Sequence, residues 1–259
     1  LDSAKHLIPV PFNVTELMAL YFSRDMLKTL KETIFYDALE SLFQKVKTTL
    51  PPTYLQYLAQ FEDSLKVGLK PYKNYAQHGE VISRVNQAVV SRQYLDITYY
   101  TMNRKKMTRR TVAPYKIWFF DGTFYMLAYC QLREEIRLFA LDRVKTLNTT
   151  AERFETPDDF DVDALLQSSF GAFIGKPVEV IIWFSADIAG YIEEKVWHAS
   201  QQIEKQDDGS ILLRIKVAGT DEIKFWVMTW GAKAKIIKPL SLRNEIQSEI
   251  IAMLASYST

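Results

Sequence analysis

The sequence predicts an α+β chain: a helical connector over residues 1–78, a small Sm/SH3-like β-barrel over 79–150 and, after an acidic linker over 151–175, a ferredoxin-like βαββαβ domain over 176–259. Three observations predict it. Apolar residues recur at helical spacing through 13–48. Short alternating strands then crowd between Leu95 and Leu147, around a hairpin signal at Asp121-Gly122. Beyond the linker the strand and helix patterns follow one another in βαββαβ order.

The helical segment 13–48 has Asn13 or Thr15 as its cap, and Leu17, Leu20, Leu27, Leu30, Ile34, Leu39, Leu42 and Val46 supply the stripe. Pro51-Pro52 ends it, and Tyr54–Leu65 reads as a second, shorter helix. Gly79 precedes an amphipathic helix over Glu80–Gln93, with Val81, Ile82, Val85, Ala88 and Val89 on its buried face. The β region opens with Leu95, Ile97 and Tyr99 alternating against Asp96, Thr98 and Tyr100. A basic turn leads to Thr108–Ala113, and Pro114 separates that strand from Lys116–Phe120. Phe124–Tyr129, Ile136–Leu141 and a short Val144–Leu147 complete the set. So many short strands in so few residues imply a small barrel, because closure removes exposed edges. After the linker, Val178–Phe184, His198–Lys205, Ile211–Val217 and Ala234–Ile237 read as strands. Ala186–Lys195, Asp221–Trp230 and Leu240–Ser256 read as helices.

With 259 residues, 48% hydrophobic and 24% charged, the chain can bury a sizeable core. Net charge is +1, so no global field draws nucleic acid. The charges are unevenly spread, however. Residues 101–150 hold ten Lys/Arg against four Asp/Glu, and 151–175 hold one Arg against six Asp/Glu. The single Cys130 excludes an intrachain disulfide and a Cys-rich zinc site. His6, His78 and His198 lie far apart, so no metal spacing forms, and no cofactor is expected. No nucleophile elbow or phosphate-binding Gly loop appears, and the acids Asp158-Asp159 read as solvated linker charge, so no enzymatic activity is expected. The absence of a long apolar run and of a secretory signal points to the cytoplasm. The chain opens on Leu1 rather than Met, as a piece of a longer protein would.

The chemistry concentrates between Leu95 and Arg143. Arg104, Lys105, Lys106, Arg109 and Arg110 fall within seven residues, and aromatics alternate with apolar strands beyond them. Cations beside ring faces suit an anionic ligand with planar rings, a nucleotide or a single-stranded nucleic acid. Tyr125 and Arg137, if they face one side of adjacent strands, make a ring-plus-cation platform, since Arg can grip phosphate bidentately. The alternative is that Tyr125 and Phe139 are core and Arg137 a solvated edge charge. Arg104, Lys105 and Lys106 read as a solvated turn that blunts a strand edge. Arg110 shares strand parity with Val112 and points toward the ligand face. Trp226 and Trp230, at i and i+4, read as core packing, and His198 as structural.

The order of residues resembles the WYL domain, the effector-sensing module of many bacterial transcription regulators. The frame that carries the resemblance is Arg110-x-Val112-x-Pro114-Tyr115, Gly122, Ala128-Tyr129, Arg137-x-Phe139 and Asp142-Arg143-Val144. The tripeptide that gives that domain its name is here Phe124-Tyr125-Met126, which keeps only the Tyr. The C-terminal part resembles the extension that often follows such domains. Its marks are Phe170-Gly171, Trp197-His198, Asp208-Gly209-Ser210, Trp226, Trp230-Gly231 and Pro239-x-x-Leu242-Arg243. The resemblance implies a ligand site on Arg110, Tyr115, Tyr125, Tyr129, Arg133, Arg137, Phe139 and Arg143. It also implies a homodimer whose helical connector passes the ligand's bias to an upstream helix-turn-helix head, which alone would touch duplex DNA. Residues 1–9 are too few for such a head. The reading from another class is a stand-alone protein that binds single-stranded RNA or DNA with no regulatory head. An enzyme acting on nucleotides is a third.

Overall fold

The structure, a computed structural model, describes residues 12–68, 72–157, 160–167, 169–171, 175 and 177–258. Four helices come first: α1 (Val14–Met26), α2 (Ile34–Thr49), α3 (Pro52–Ser64) and α4 (Gly79–Ser91). Five strands follow: β1 (Gln93–Thr101), β2 (Lys106–Phe120), β3 (Thr123–Cys130), β4 (Glu135–Ala140) and β5 (Val144–Arg153). The short helix α5 (Val162–Gln167) precedes β6 (Pro177–Phe184), α6 (Ala186–Glu193), β7 (Gln202–Lys205), β8 (Ile211–Ala218), α7 (Asp221–Met228), β9 (Ala234–Lys238) and α8 (Leu240–Tyr257). The chain divides into two compact units. One runs through Leu127 and resumes over Phe139–Phe154; the other joins Ala128–Leu138 to the residues from Glu155 onward.

Asn13 caps α1. Its side chain accepts from Glu16 N–H at 2.9 Å, and its own N–H donates to the Glu16 carboxylate at 2.7 Å, closing a capping box. The segment read as one helical stretch over 13–48 is two helices. Glu32 takes a left-handed φ of 64° and Thr33 is extended, which breaks the ladder before Ile34. Leu17, Val46 and Leu58 form the small core that joins α1, α2 and α3. The amphipathic α4 buries Ile82, Val85 and Ala88 and packs on β1, β2 and β5.

The first sheet has the order β4-β3-β2-β1-β5. β4 and β5 are therefore its two ends, and the described residues form no closed barrel. The expectation of barrel closure is corrected here: α4 covers three of the strands instead of the sheet closing on itself. Pro114 does not end a strand either. It lies buried inside the fifteen-residue β2, because its fixed φ suits extended backbone and costs only one ladder donor. The last strand runs to Arg153, past the expected end at Leu147, because β1 pairs with β5 as far as Gln93–Arg153.

In the second unit the sheet order is β7-β8-β6-β9, and each pairing is antiparallel. The βαββαβ order is observed, and α8 follows it. Val180, Ile182 and Phe184 of β6 and Leu213, Ile215 and Val217 of β8 bury one face against Ile192, Ile223, Val227 and Leu242. His198 and Ser200, expected within the strand that ends at Lys205, precede β7 rather than joining it. Ser200 N–H donates to His198 Nδ1 at 3.1 Å, and Lys216 N–H donates to Ser200 Oγ at 2.8 Å, so a side chain replaces the ladder there. The acids Asp158-Asp159 lie outside the described residues.

Candidate ligand site

The basic hairpin between β1 and β2 turns at Lys105, with φ 48°, and Arg104, Lys105, Lys106 and Arg109 are exposed. Arg110 is different. It is only 8% exposed, which for a guanidinium requires partners. Its Nε donates to Thr108 Oγ1 at 3.0 Å, and its Cζ lies 5.9 Å from the Tyr99 ring centroid and 5.6 Å from that of Phe139. The two rings meet edge to face at 5.1 Å, and Tyr99 Oη accepts from Ala140 N–H at 3.2 Å. Arg110 and Phe139 are thus brought together, around a tyrosine that sequence reasoning did not single out. Tyr99 was legible only as an inward position of β1.

Arg143 is half-buried after β4. Its Nη2 is 4.0 Å from Met102 Sδ, and its Nε is buried with no hydrogen-bond partner among the described residues. Thr101 Oγ1 is in the same condition. A buried donor left open in this way is a place where a ligand oxygen or a water fits. Next to it, Asp142 is held by Lys73 Nζ at 2.8 and 2.9 Å.

Tyr125 belongs to a second group. The turn at Asp121 and Gly122, with φ 43° and 71°, reverses the chain between β2 and β3. On β2, Lys116, Trp118 and Phe120 share one face. Trp118 and Phe120 stack at 4.7 Å, and Tyr125 tilts against Trp118 at 6.0 Å. This strip is half-buried to exposed. On the opposite face Phe119, itself exposed, packs on Phe124 at 4.7 Å, and Phe124 N–H donates to Tyr75 Oη at 2.8 Å. Burial raises the Tyr75 phenol to about 12; the Phe124 hydrogen bond works against that rise, and the charge of Asp142 adds to it. Trp118 and Phe120 were missed as site residues. The alternation of Lys116–Phe120 was visible, but which rings meet Tyr125 depends on the register of two strands.

Tyr115 packs on Phe154 at 5.6 Å, with Tyr94 on the same ring at 5.5 Å. Tyr129, Arg133 and Arg137 fall in the second unit, at the end of β3, in the turn after it and on β4. Arg133 is exposed, and Arg137 is exposed and paired with Glu135. Cys130 is a buried thiol at the end of β3. Among the described residues no cluster of three or more His, Cys, Asp or Glu could hold a metal, and no helix is long and apolar enough to cross a membrane. Trp226 and Trp230 contact each other at 6.1 Å and join the core of the second unit with Trp197.

Comparison with known proteins adds the following. The WYL domain family matches residues 80–149, and the WCX domain family matches residues 176–254. Protein PafC of Mycobacterium leprae (strain TN) is 25% identical over 186 residues, covering 68% of this chain and 53% of that protein. The uncharacterized HTH-type transcriptional regulator YobV of Bacillus subtilis (strain 168) is 19% identical over 245 residues, 94% of this chain and 76% of that protein. The chain spans about half the length of the PafC relatives it matches. Among solved structures, proteasome accessory factor B/C (PafBC) of Arthrobacter aurescens is 23% identical, with a TM-score of 0.36 over 97% of this chain and 37% of that one. A CRISPR Cas-related protein, 12% identical, covers 71% of this chain and 54% of its own with a TM-score of 0.51, a likeness of fold.

Proposed function

The chain belongs to the WYL-domain proteins, with a WCX domain following, and from that premise we propose that it is the effector-sensing region of a transcription regulator. Its effector is a nucleotide-like molecule or a single-stranded nucleic acid. The observation that carries this reading is the Trp118–Phe120–Tyr125 strip, with Lys116 on the same face of β2. Rings of that kind bind unpaired bases by stacking, worth roughly 1–3 kcal/mol per base. Arg110, Arg133, Arg137 and Arg143 are the candidate cations, and the open Nε of Arg143 supports a bound oxygen there. The likeness to YobV, an HTH-type transcriptional regulator by name, supports the regulatory half of the reading.

The mechanism is a population shift. The effector favours one arrangement of a homodimer, and α1–α3 pass that preference to a DNA-reading head elsewhere in the full-length protein. Exposed apolar side chains at the end of α8, Ile250, Ile251, Met253 and Leu254, support the dimer. The strand order β7-β8-β6-β9 supports a ferredoxin-like reading of the domain that carries them. The function is non-enzymatic and belongs in the cytoplasm.

Tryptophan quenching tests the reading with single-stranded DNA, single-stranded RNA and mononucleotides. One of these should quench Trp118 fluorescence in a saturable way, with duplex DNA of the same sequence binding far more weakly. Equal binding of duplex and single strand would overturn the stacking account.

A further inference from the structure

The helical part of the first unit contains a pocket that the proposed effector site does not use. It opens between α1, α2 and α3, has a volume of about 260 Å³, and is lined by Tyr21, Phe43, Lys47, Leu55, Leu58 and Glu62, with Ala59 at the rim. Tyr21 meets Phe43 edge to face at 5.8 Å. Beneath those rings lies Arg24, 8% exposed, with its Cζ 4.4 Å from the Tyr21 centroid and 4.5 Å from that of Phe43.

The charges nearest this pocket, three carboxylates and two cations, contact one another, with one exception. Arg24 faces Asp25 at 3.2 Å, Glu62 at 3.6 Å and Glu40 at 3.9 Å, and Lys28 closes on Asp25 at 2.8 Å. Burial pushes the Tyr21 phenol up, and its hydrogen bond to Glu62 and the charge of Asp25 add to this, so it remains a neutral hydroxyl. Lys47 is the exception. The residue is half-buried, its ammonium lies 5.4 Å from the Phe43 centroid, and among the described residues it has no ion-pair partner.

An apolar pocket lined by an ammonium that has no ion-pair partner among the described residues complements an apolar body with one negative head. The volume falls just under the roughly 300–1,000 Å³ of ordinary ligand sites, so the occupant is small. Glu62 also lines the pocket, its carboxylate engaged by Arg24 at 3.6 Å and by the Tyr21 hydroxyl, so an occupant with more than one negative charge is disfavoured. We propose that this pocket binds a small monocarboxylate with an aromatic or branched aliphatic body. The carboxylate sits on Lys47 Nζ and the body lies against Phe43, Leu55 and Leu58. Because α1, α2 and α3 all line the pocket, occupancy ties the three helices together and gives the connector an input of its own. Binding in this pocket does not depend on the effector reading; only its relay through the connector rests on it.

The test uses the full chain, titrated with phenylacetate, 4-methylpentanoate, phenylacetamide and phenethylamine, and followed by calorimetry and by the methyl resonances of Leu55 and Leu58. The two acids should bind and shift both leucines, the amide should bind at least about tenfold more weakly, and the amine should not bind. Lys47→Met should remove the preference for acid over amide, and Ala59→Leu should block the pocket. Neither should change the thermal melt or the affinity for a single-stranded oligonucleotide. If Lys47→Met melts early, Lys47→Gln is read instead. Acid and amide binding alike, acids that leave Leu55 and Leu58 unshifted, or no binding by any probe would overturn the proposal.

Discussion

Tyr75 shows how a single side chain couples the connector to the sheet. It is 1% exposed, and its Oη is the acceptor for the N–H of Phe124, the first ring of the Phe124-Tyr125-Met126 tripeptide. Tyr75→Phe would leave that buried N–H without an acceptor and should cost about 1–3 kcal/mol, measured by urea unfolding near neutral pH. The phenol also dictates an alkaline limit. Its folded value of about 12 lies above the unfolded value of roughly 10. Its contribution is therefore complete below about pH 10 and lost as pH rises toward 12. In Tyr75→Phe the stability lost across that window should be smaller than in the unmodified chain. An identical alkaline profile in the two proteins would contradict the assigned burial. At this scale the sequence was only partly legible. Arg110 could be marked by its parity with Val112, but parity alone does not tell that Tyr99 and Phe139 enclose it. Trp118 and Phe120 escaped notice because ring contacts across strands depend on register, which no local pattern encodes.

At the scale of elements, local chemistry accounts for the starts and stops. Asn13 and Thr15 were both open as caps, and the capping box selects Asn13. Asn13→Ala should cost about 1 kcal/mol of α1 stability, while Thr15→Ala should cost little; chemical denaturation followed by circular dichroism separates the two. The hairpin turn at Asp121-Gly122 was legible because few residue pairs accept two successive positive φ values. The break at Glu32-Thr33 was not, since apolar spacing continues across it and the left-handed residue is a glutamate. The continuity of β2 through Pro114 was hidden because proline usually ends a strand; here tertiary packing buries it and overrides that tendency. Barrel closure was inferred from the number of strands, and number says nothing about which two edges meet. The packing of α4 on β1, β2 and β5 is a long-range fact of the same kind.

For the whole molecule, the order of elements was the most legible feature, helices first, then a run of strands, then the βαββαβ series, because helices and strands carry different periodicities. The joint order of motifs also carried the family, although the tripeptide departs from its name. A homodimer is expected, held through the exposed apolar end of α8. Sedimentation equilibrium at micromolar concentration should give the mass of two chains, and Leu254→Glu should shift it toward one. A monomer throughout the concentration range would remove the dimer from the mechanism.

The central claim is that the WYL part binds unpaired nucleic acid or nucleotide by ring stacking and Arg–phosphate contact. Fluorescence anisotropy of a labelled single-stranded oligonucleotide, titrated at several salt concentrations, tests it most directly. Tyr125→Ala and Trp118→Ala should each weaken binding by roughly 1–3 kcal/mol and leave the salt slope unchanged. Arg137→Ala should weaken binding and flatten the slope, because fewer counterions are released. Lys105→Ala, in the exposed turn, should do much less. Binding that survives Tyr125→Ala, Trp118→Ala and Arg137→Ala in folded protein, or that depends chiefly on Lys105, would contradict the account.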